Sequence, residues 1–416
     1  MALAIFSTAT AELRQERRLP EAHCFTGVGG VSPFAIDRDR LQASQALRRL
    51  RGITQVMAPS APGRFHNRWT HTLAVARIGR ALAGSLLARY EFLRAGGGAS
   101  LDPDVVEAAC LAHDLGHPPF GHDAEDELNR LLTNAGVCDG FEANAQTFRI
   151  VTHLAANDGG GLNLTRATLN AILKYPWLRA DAPPHSQKWG VYDSEANILD
   201  WVRGREIPSR TLTLEAELMD LADFIAYAVD DFADFACAGL VPLETLRSDA
   251  AERDRFLALV AERRTIPPIE AAALEQALAT VLAEYPATGR QVMESACGAG
   301  IAEFVAAVRL DAEPSSPGTL SIDRQRELEI FVLEGLTWHY VIDSDLLLSQ
   351  RREQRQVIRT LFADLATAAI DERNWARFPA AFQPRLRDAE SDDGRLRIVA
   401  DVIASMTEEE AMRRCA

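Results

Sequence analysis

The sequence predicts an all-α protein, and three observations carry that expectation. Apolar residues recur at helical spacing along most of the chain. The breaks between these stretches fall at Gly, Pro and helix-capping residues. No run of alternating apolar and polar residues stands out as a strand.

The first expected helix covers Asp39 to Gly52, with Leu41, Ala43, Ala46, Leu47 and Leu50 on its apolar stripe. A second spans 68–93 and is stopped by Gly96-Gly97-Gly98. Asp102 as N-cap and Pro103 at the first helical position open a third, which runs through Val105, Val106, Ala109 and Leu111 into His113. The prolines and glycines of Gly116-His117-Pro118-Pro119-Phe120-Gly121-His122 make a structured turn, after which a helix restarts near His122 and includes Glu125. Further helices are expected at 141–156, 165–174 and 213–236, and in the C-terminal third at 243–283, 287–309, 321–371 and 393–414. Ala312 to Gly318 reads as a loop, and the Pro-rich, polar stretch 179–192 as a mobile flap.

With 47% hydrophobic residues the chain can fill a large core. No apolar run approaches the roughly 18 residues needed to span a bilayer. The N-terminus lacks the basic and apolar regions of a signal peptide, so a cytoplasmic protein without membrane contact is expected. Cys24, Cys110, Cys138, Cys237, Cys297 and Cys415 include no C-x-x-C pair, which argues against a thiolate zinc site or a dithiol redox motif. The formal net charge of −15 makes duplex DNA a poor partner. The local cluster Arg48, Arg49, Arg51, Arg64 and Arg68 instead suits a small anionic ligand, although single-stranded nucleic acid in a local basic groove stays open.

The strongest chemical signal is His113-Asp114 at the end of an apolar helix. Burying a carboxylate there is costly unless it is paired or binds a cation. Imidazole and carboxylate together suit Mn, Fe, Zn, Ni or Co better than Ca. More ligands must come from elsewhere, and His71 and Asp223 both sit mid-helix beside apolar neighbours.

The order His71, His113-Asp114, Asp223 resembles the HD-domain metal-dependent phosphohydrolases. AHDLGHPPFGH with Glu125, FEANAQTFRI (141–150), LKYP (173–176), DLADFIAYAVDD (220–231) and DRDRLQASQALRRLRGITQV (37–56) are similar to deoxynucleoside triphosphate triphosphohydrolases, the bacterial dGTPase and dGTPase-like family. The resemblance runs from about residue 37 to 240, with weaker echoes at 393–411. It implies an HD-type helical bundle over 37–240, preceded by a segment 1–36 and followed by a helical region 241–416 packed on the core. It further implies a divalent metal (Mn, Mg, Co, Ni, Fe or Zn) on His71, His113, Asp114 and Asp223, and hydrolysis of a dNTP to deoxynucleoside and tripolyphosphate.

His122 and Glu125 match the family's catalytic pair, and their i, i+3 spacing puts them on one helix face. His117 is similar to a phosphate-contacting histidine. Arg68, three residues before His71, would clamp phosphate with its fork. Lys174 and Tyr175 match phosphate and sugar contacts, Gln55 and Asn144 positions near the 3′-hydroxyl and base, Tyr227 a position by the sugar, and Asp231 one that helps recognise the sugar or hold the phosphate ligands. Asp223, Tyr227 and Asp231, spaced i, i+4, i+8, share a helix face. Family members are commonly oligomers, often hexamers, and several respond to a nucleotide effector, so both are implied.

Two departures stand out. Asp230 occupies a usual histidine position, and Asp401-Val402-Ile403-Ala404-Ser405-Met406-Thr407-Glu408-Glu409-Glu410 differs from a family segment of the type Asp-Tyr-Ile-Ala-Gly-Met-Thr-Asp. The alternatives to the triphosphohydrolase reading are an HD-type nucleotide phosphatase or phosphodiesterase, and a nucleotide-sensing regulatory protein with weak catalysis.

Overall fold

The computed structural model describes residues 11–20, 31–57, 65–94, 101–155, 160–204, 210–286, 289–311 and 319–415. Cys24, Arg64, the Gly96-Gly97-Gly98 stop and the Ala312–Gly318 loop lie outside them.

The His71, His113-Asp114 and Asp223 group is carried by three helices. Arg68–Arg89 begins with a capping box: the Asn67 side chain accepts from Thr70 N, and the Thr70 hydroxyl accepts from Asn67 N. Its buried residues His71, Val75, Ile78 and Leu82 share one face. That helix packs against Pro103–Ala112 and Leu214–Ala226. Pro103–Ala112 starts as expected, with Asp102 accepting from Asp104 N at 2.8 Å and Pro103 in the first turn. Val105, Val106, Ala108, Ala109 and Cys110 are all fully buried, so this helix runs through the core and delivers His113 and Asp114 to its interior.

The fold is helical, as expected, apart from one two-stranded sheet among the described residues. Strand Val308–Asp311 pairs antiparallel with Thr319–Ile322, Val308 opposite Ile322. Four residues a side are too few to show alternation in sequence, and the expected helices 287–309 and 321–371 overlap only Val308–Arg309 and Ser321–Ile322. Val308 and Leu310 are buried, and Leu310 N donates to the Tyr90 hydroxyl.

Long expected helices are also broken. The first starts at Pro33 and stops at Ala43. Ser44 leaves the helix, donates to Leu41 O and caps Gln45–Arg49, a local competition with helix that serine favours. The stretch 243–283 divides at Asp249, which caps Ala250–Arg264, and at Thr265, whose φ is 53°. Residues 321–371 divide into the strand end, Arg324–Thr337, a wide π turn at Trp338–Ile342, and Asp345–Ile370. Among the described residues no helix is long and apolar enough to cross a membrane.

One hydrophobic core runs from Phe34 to Leu347, across position 241. A second joins Phe120, Leu128, Leu132 and Phe141 to Ile358, Leu361, Leu365, Val399, Ile403 and Ala411. The C-terminal region therefore packs on the turn that follows His113-Asp114. Glu408 Oε1 accepts from Thr54 N at 2.6 Å and from Phe120 N at 3.1 Å. Arg49 donates to Leu115 O, His117 O and Met406 O. These bonds hold Phe120 and Gly121 at positive φ (71° and 63°), the bend that aims His122 into the start of His122–Asn134. The stretch 179–192, expected as a mobile flap, is folded onto the body. Trp177, Trp189 and Tyr192 are buried together, and Trp177 Nε1 donates to Lys188 O at 2.8 Å.

Gly116 touches the backbone of the Ala143–Arg149 helix: a Cβ there would stand 2.0 Å from Ala143 O and 2.4 Å from Thr147 N. Gly116→Ala is expected to cost about 3 kcal/mol through overpacking. Gly84→Ala, in an open helical position, is expected to stabilise by roughly 0.5–1 kcal/mol. Thermal melts of the two variants check this, and equal shifts would contradict it.

Candidate active site

Every sequence-predicted site residue except Asp231 lines one cavity of about 700 Å³. That volume lies in the range of small-molecule sites.

At its floor His71 Nε2 lies 3.0 Å from Asp223 Oδ1, and His113 Nε2 lies 3.5 Å from Asp114 Oδ2 and 3.6 Å from Asp223 Oδ1. His113 Nδ1 bonds Cys110 O at 2.7 Å, which fixes the ring and turns Nε2 toward the two carboxylates. Nε2 is buried there without a hydrogen-bond partner. His71, His113 and Asp114 offer ligand atoms within 4.8 Å of one another. A lone imidazole nitrogen facing buried Asp114 and part-buried Asp223 fits a divalent cation, with Asp223 as the fourth donor.

The charges are balanced closely. Asp114 is held well below the usual carboxylate range: burial opposes this, but Arg68 and the imidazoles of His113 and His117 outweigh it. Arg68 Nη1 donates to Asp114 Oδ2 at 2.6 Å, and His117 Nδ1 lies 2.9 Å from Oδ1. The expected phosphate clamp thus engages a proposed metal ligand, and Arg68 is only 3% exposed. Burial, then the Arg68 charge, pushes His117 down to about 4. Asp223 is also lowered: burial opposes, but His113, His71 and Lys174 prevail. Lys174 pairs with Asp220 and lies 3.7 Å from Asp223 Oδ2.

Beside this group, His122 Nδ1 bonds Glu125 Oε2 at 3.0 Å. His122 is 70% exposed to the cavity side while Glu125 is buried, so the carboxylate orients an accessible ring. Gln55 Oε1 is buried without a partner, and Asn144 bonds Glu142. Tyr175 and Tyr227 line the wall.

Asp231 is placed elsewhere. The helix 214–237 carries a wide π turn at Tyr227–Asp231, so regular i, i+8 spacing does not hold. Asp231 is 2% exposed, lies outside the cavity lining, and burial pushes its carboxyl up to about 7. It neighbours His71, whose Nδ1 also lacks a partner. The basic cluster disperses as well: Arg49 serves backbone carbonyls and Arg51 covers the Trp69 ring.

Sequence reasoning missed Lys188, whose ammonium donates to Glu125 Oε1 at 2.5 Å, and the wall from Asp345–Ile370. There Gln350, Arg351, Gln354 and Arg355 face the cavity, and Arg351 and Arg355 both pair with Asp123. The i, i+4 pairs Gln350/Gln354 and Arg351/Arg355 were the available signal.

Cavity, charge balance and the His/Asp group together fit a divalent-metal centre, and the order of these residues fits an HD-type phosphohydrolase. Residues 68–228 match the HD domain and residues 320–416 the phosphohydrolase-associated domain. The chain is 36% identical over 404 residues to a deoxyguanosinetriphosphate triphosphohydrolase-like protein of Corynebacterium efficiens, covering 91% of this chain and 89% of the relative. It is 37% identical over 415 residues to a protein of that description from Streptomyces coelicolor (92% and 91% covered), and 30% over 426 residues to one from Shewanella woodyi (92% and 90%). The chain belongs to the deoxyguanosinetriphosphate triphosphohydrolase-like family of HD phosphohydrolases.

Asp114→Ala is expected to remove bound divalent metal, read by elemental analysis of purified protein. It also leaves Arg68 buried without its partner, at a cost of about 3–5 kcal/mol. Unchanged metal content would contradict the ligand assignment.

Proposed function

We propose that the protein hydrolyses deoxynucleoside triphosphates to deoxynucleoside and inorganic tripolyphosphate. The observation that carries this reading is the junction of the His71/His113/Asp114/Asp223 group with the His122–Glu125 pair in one cavity. The names of the relatives support the substrate class.

When bound, a divalent cation supplies Lewis-acid polarisation of the phosphate and a more acidic attacking water. The chain's residues do the rest. Lys174 and Arg68 place positive charge where the phosphates would lie, and Arg351 and Arg355 extend it along the wall. Glu125 holds His122 Nδ1, leaving Nε2 to move a proton at the α-phosphate as the bond to the 5′-oxygen breaks. Gln55 and Asn144 offer amide groups to the sugar and base. Holding these groups in place contributes as much as their chemistry.

Each dNTP and NTP incubated with the protein and Mg, Mn or Co, with products separated by ion exchange, tests the reading. Deoxynucleoside plus tripolyphosphate is expected. Monophosphate plus pyrophosphate would favour a phosphodiesterase-like cleavage, and no turnover would favour a sensor. His122→Ala is expected to keep metal and lower turnover by roughly 10² to 10⁴. Normal turnover in that variant would remove His122 from the chemistry.

A further inference from the structure

Two buried carboxylates face a single ammonium beside the proton-transfer pair. Glu125 is 3% exposed and Glu142 1%. Lys188 Nζ donates to Glu125 Oε1 at 2.5 Å and stands 3.2 Å from Glu142 Oε1. Glu125 uses its other oxygen to hold His122. The lysine is itself fixed: its carbonyl accepts from Trp177 Nε1 and Ser186 Oγ, and its N–H donates to that same Ser186 oxygen.

We propose that Lys188 is a positioning residue, supplying the charge that keeps Glu125 ionised next to Glu142 and so keeps His122 oriented for proton transfer. The inference rests on the assignment of His122–Glu125 as the working pair. Two carboxylates in a dry site without a cation share a proton. Burial and the Glu125 charge already push Glu142 up to about 7. Glu142 also accepts from Asn144 N, Asn144 Nδ2 and Ala145 N, neutral donors that supply no compensating charge to Glu125. His117 Nε2 is 3.9 Å from Glu125 Oε2 and is itself held neutral by burial and Arg68. Asp126 adds negative charge, Tyr175 is a neutral phenol, and Ala143 N donates to Glu125 only at 3.3 Å. Without Lys188, a proton shared onto Glu125 would leave His122 a neutral partner.

The geometry makes a signed prediction about a second site. If Lys188 acts by separating two carboxylates, removing one of them should relieve its loss. Turnover of the preferred dNTP is measured in wild type, Lys188→Met, Lys188→Arg and Lys188→Met/Glu142→Gln. Lys188→Met is expected to lower kcat about 10²-fold with KM changed by less than about threefold, and to move the acid limb of the kcat profile to higher pH. Adding Glu142→Gln is expected to recover at least about tenfold, and Lys188→Arg to stay within about threefold of wild type. A large rise in KM with kcat kept, or no recovery on adding Glu142→Gln, overturns the proposal and makes Lys188 a phosphate contact. The His122 ring titration, followed by NMR, reads the pair without turnover. Adding Glu142→Gln to Lys188→Met should move its midpoint to higher pH. An unmoved midpoint overturns the proposal even if wild type has no dNTP activity, which alone would refute the substrate reading.

Discussion

Two carboxylates, buried Asp114 and part-buried Asp223, stand against the imidazoles of His71 and His113 where a largely buried helix ends. Charge in that setting is tolerated only when it is answered. Arg68, His117 and Lys174 answer the outer oxygens, while His71 and His113 turn ring nitrogens inward. The rest of the site follows from this balance. A cation fits where the imidazole nitrogen has no other partner, and the cavity opens above it.

The second constraint is the bend between Asp114 and His122. Its residues adopt left-handed backbone, which a bulky residue such as Phe120 accepts only when its surroundings hold it there. Phe120 is buried in the second core, and its N–H is taken by Glu408. The C-terminal region is therefore joined to the turn before His122 through Glu408, with Arg49 bridging Met406 O to the carbonyls of Leu115 and His117. Asp401 anchors the same region by accepting from Gln146 and Arg149. The segment 401–410 departs from the family pattern, but its two buried acids hold this chain's own core together.

Much of this was legible in sequence where chemistry is local. His113-Asp114 announced itself by sitting on an apolar helix, and Asp102-Pro103 marked that helix's start. His122 and Glu125 are three residues apart, so helical geometry alone brings them together. What stayed hidden depended on distant pairings or on departures from regular helix. The π turn at Tyr227–Asp231 leaves no mark in apolar spacing, so Asp231 reads as a cavity residue although it is buried outside the cavity lining. Ser44 breaks a stripe that continues through it. Lys188 reaches Glu125 across 63 positions from a stretch whose prolines suggest a loose loop. Arg351 and Arg355 reach the cavity because the second core brings their helix over it.

The central claim is that His71, His113, Asp114 and Asp223 hold one divalent ion at the floor of the cavity. Anomalous diffraction from a crystal grown with Mn tests it directly. The account predicts one strong peak within coordinating distance of those four side chains. A peak centred instead on His117, His122 and Glu125, or none in the cavity, would contradict it.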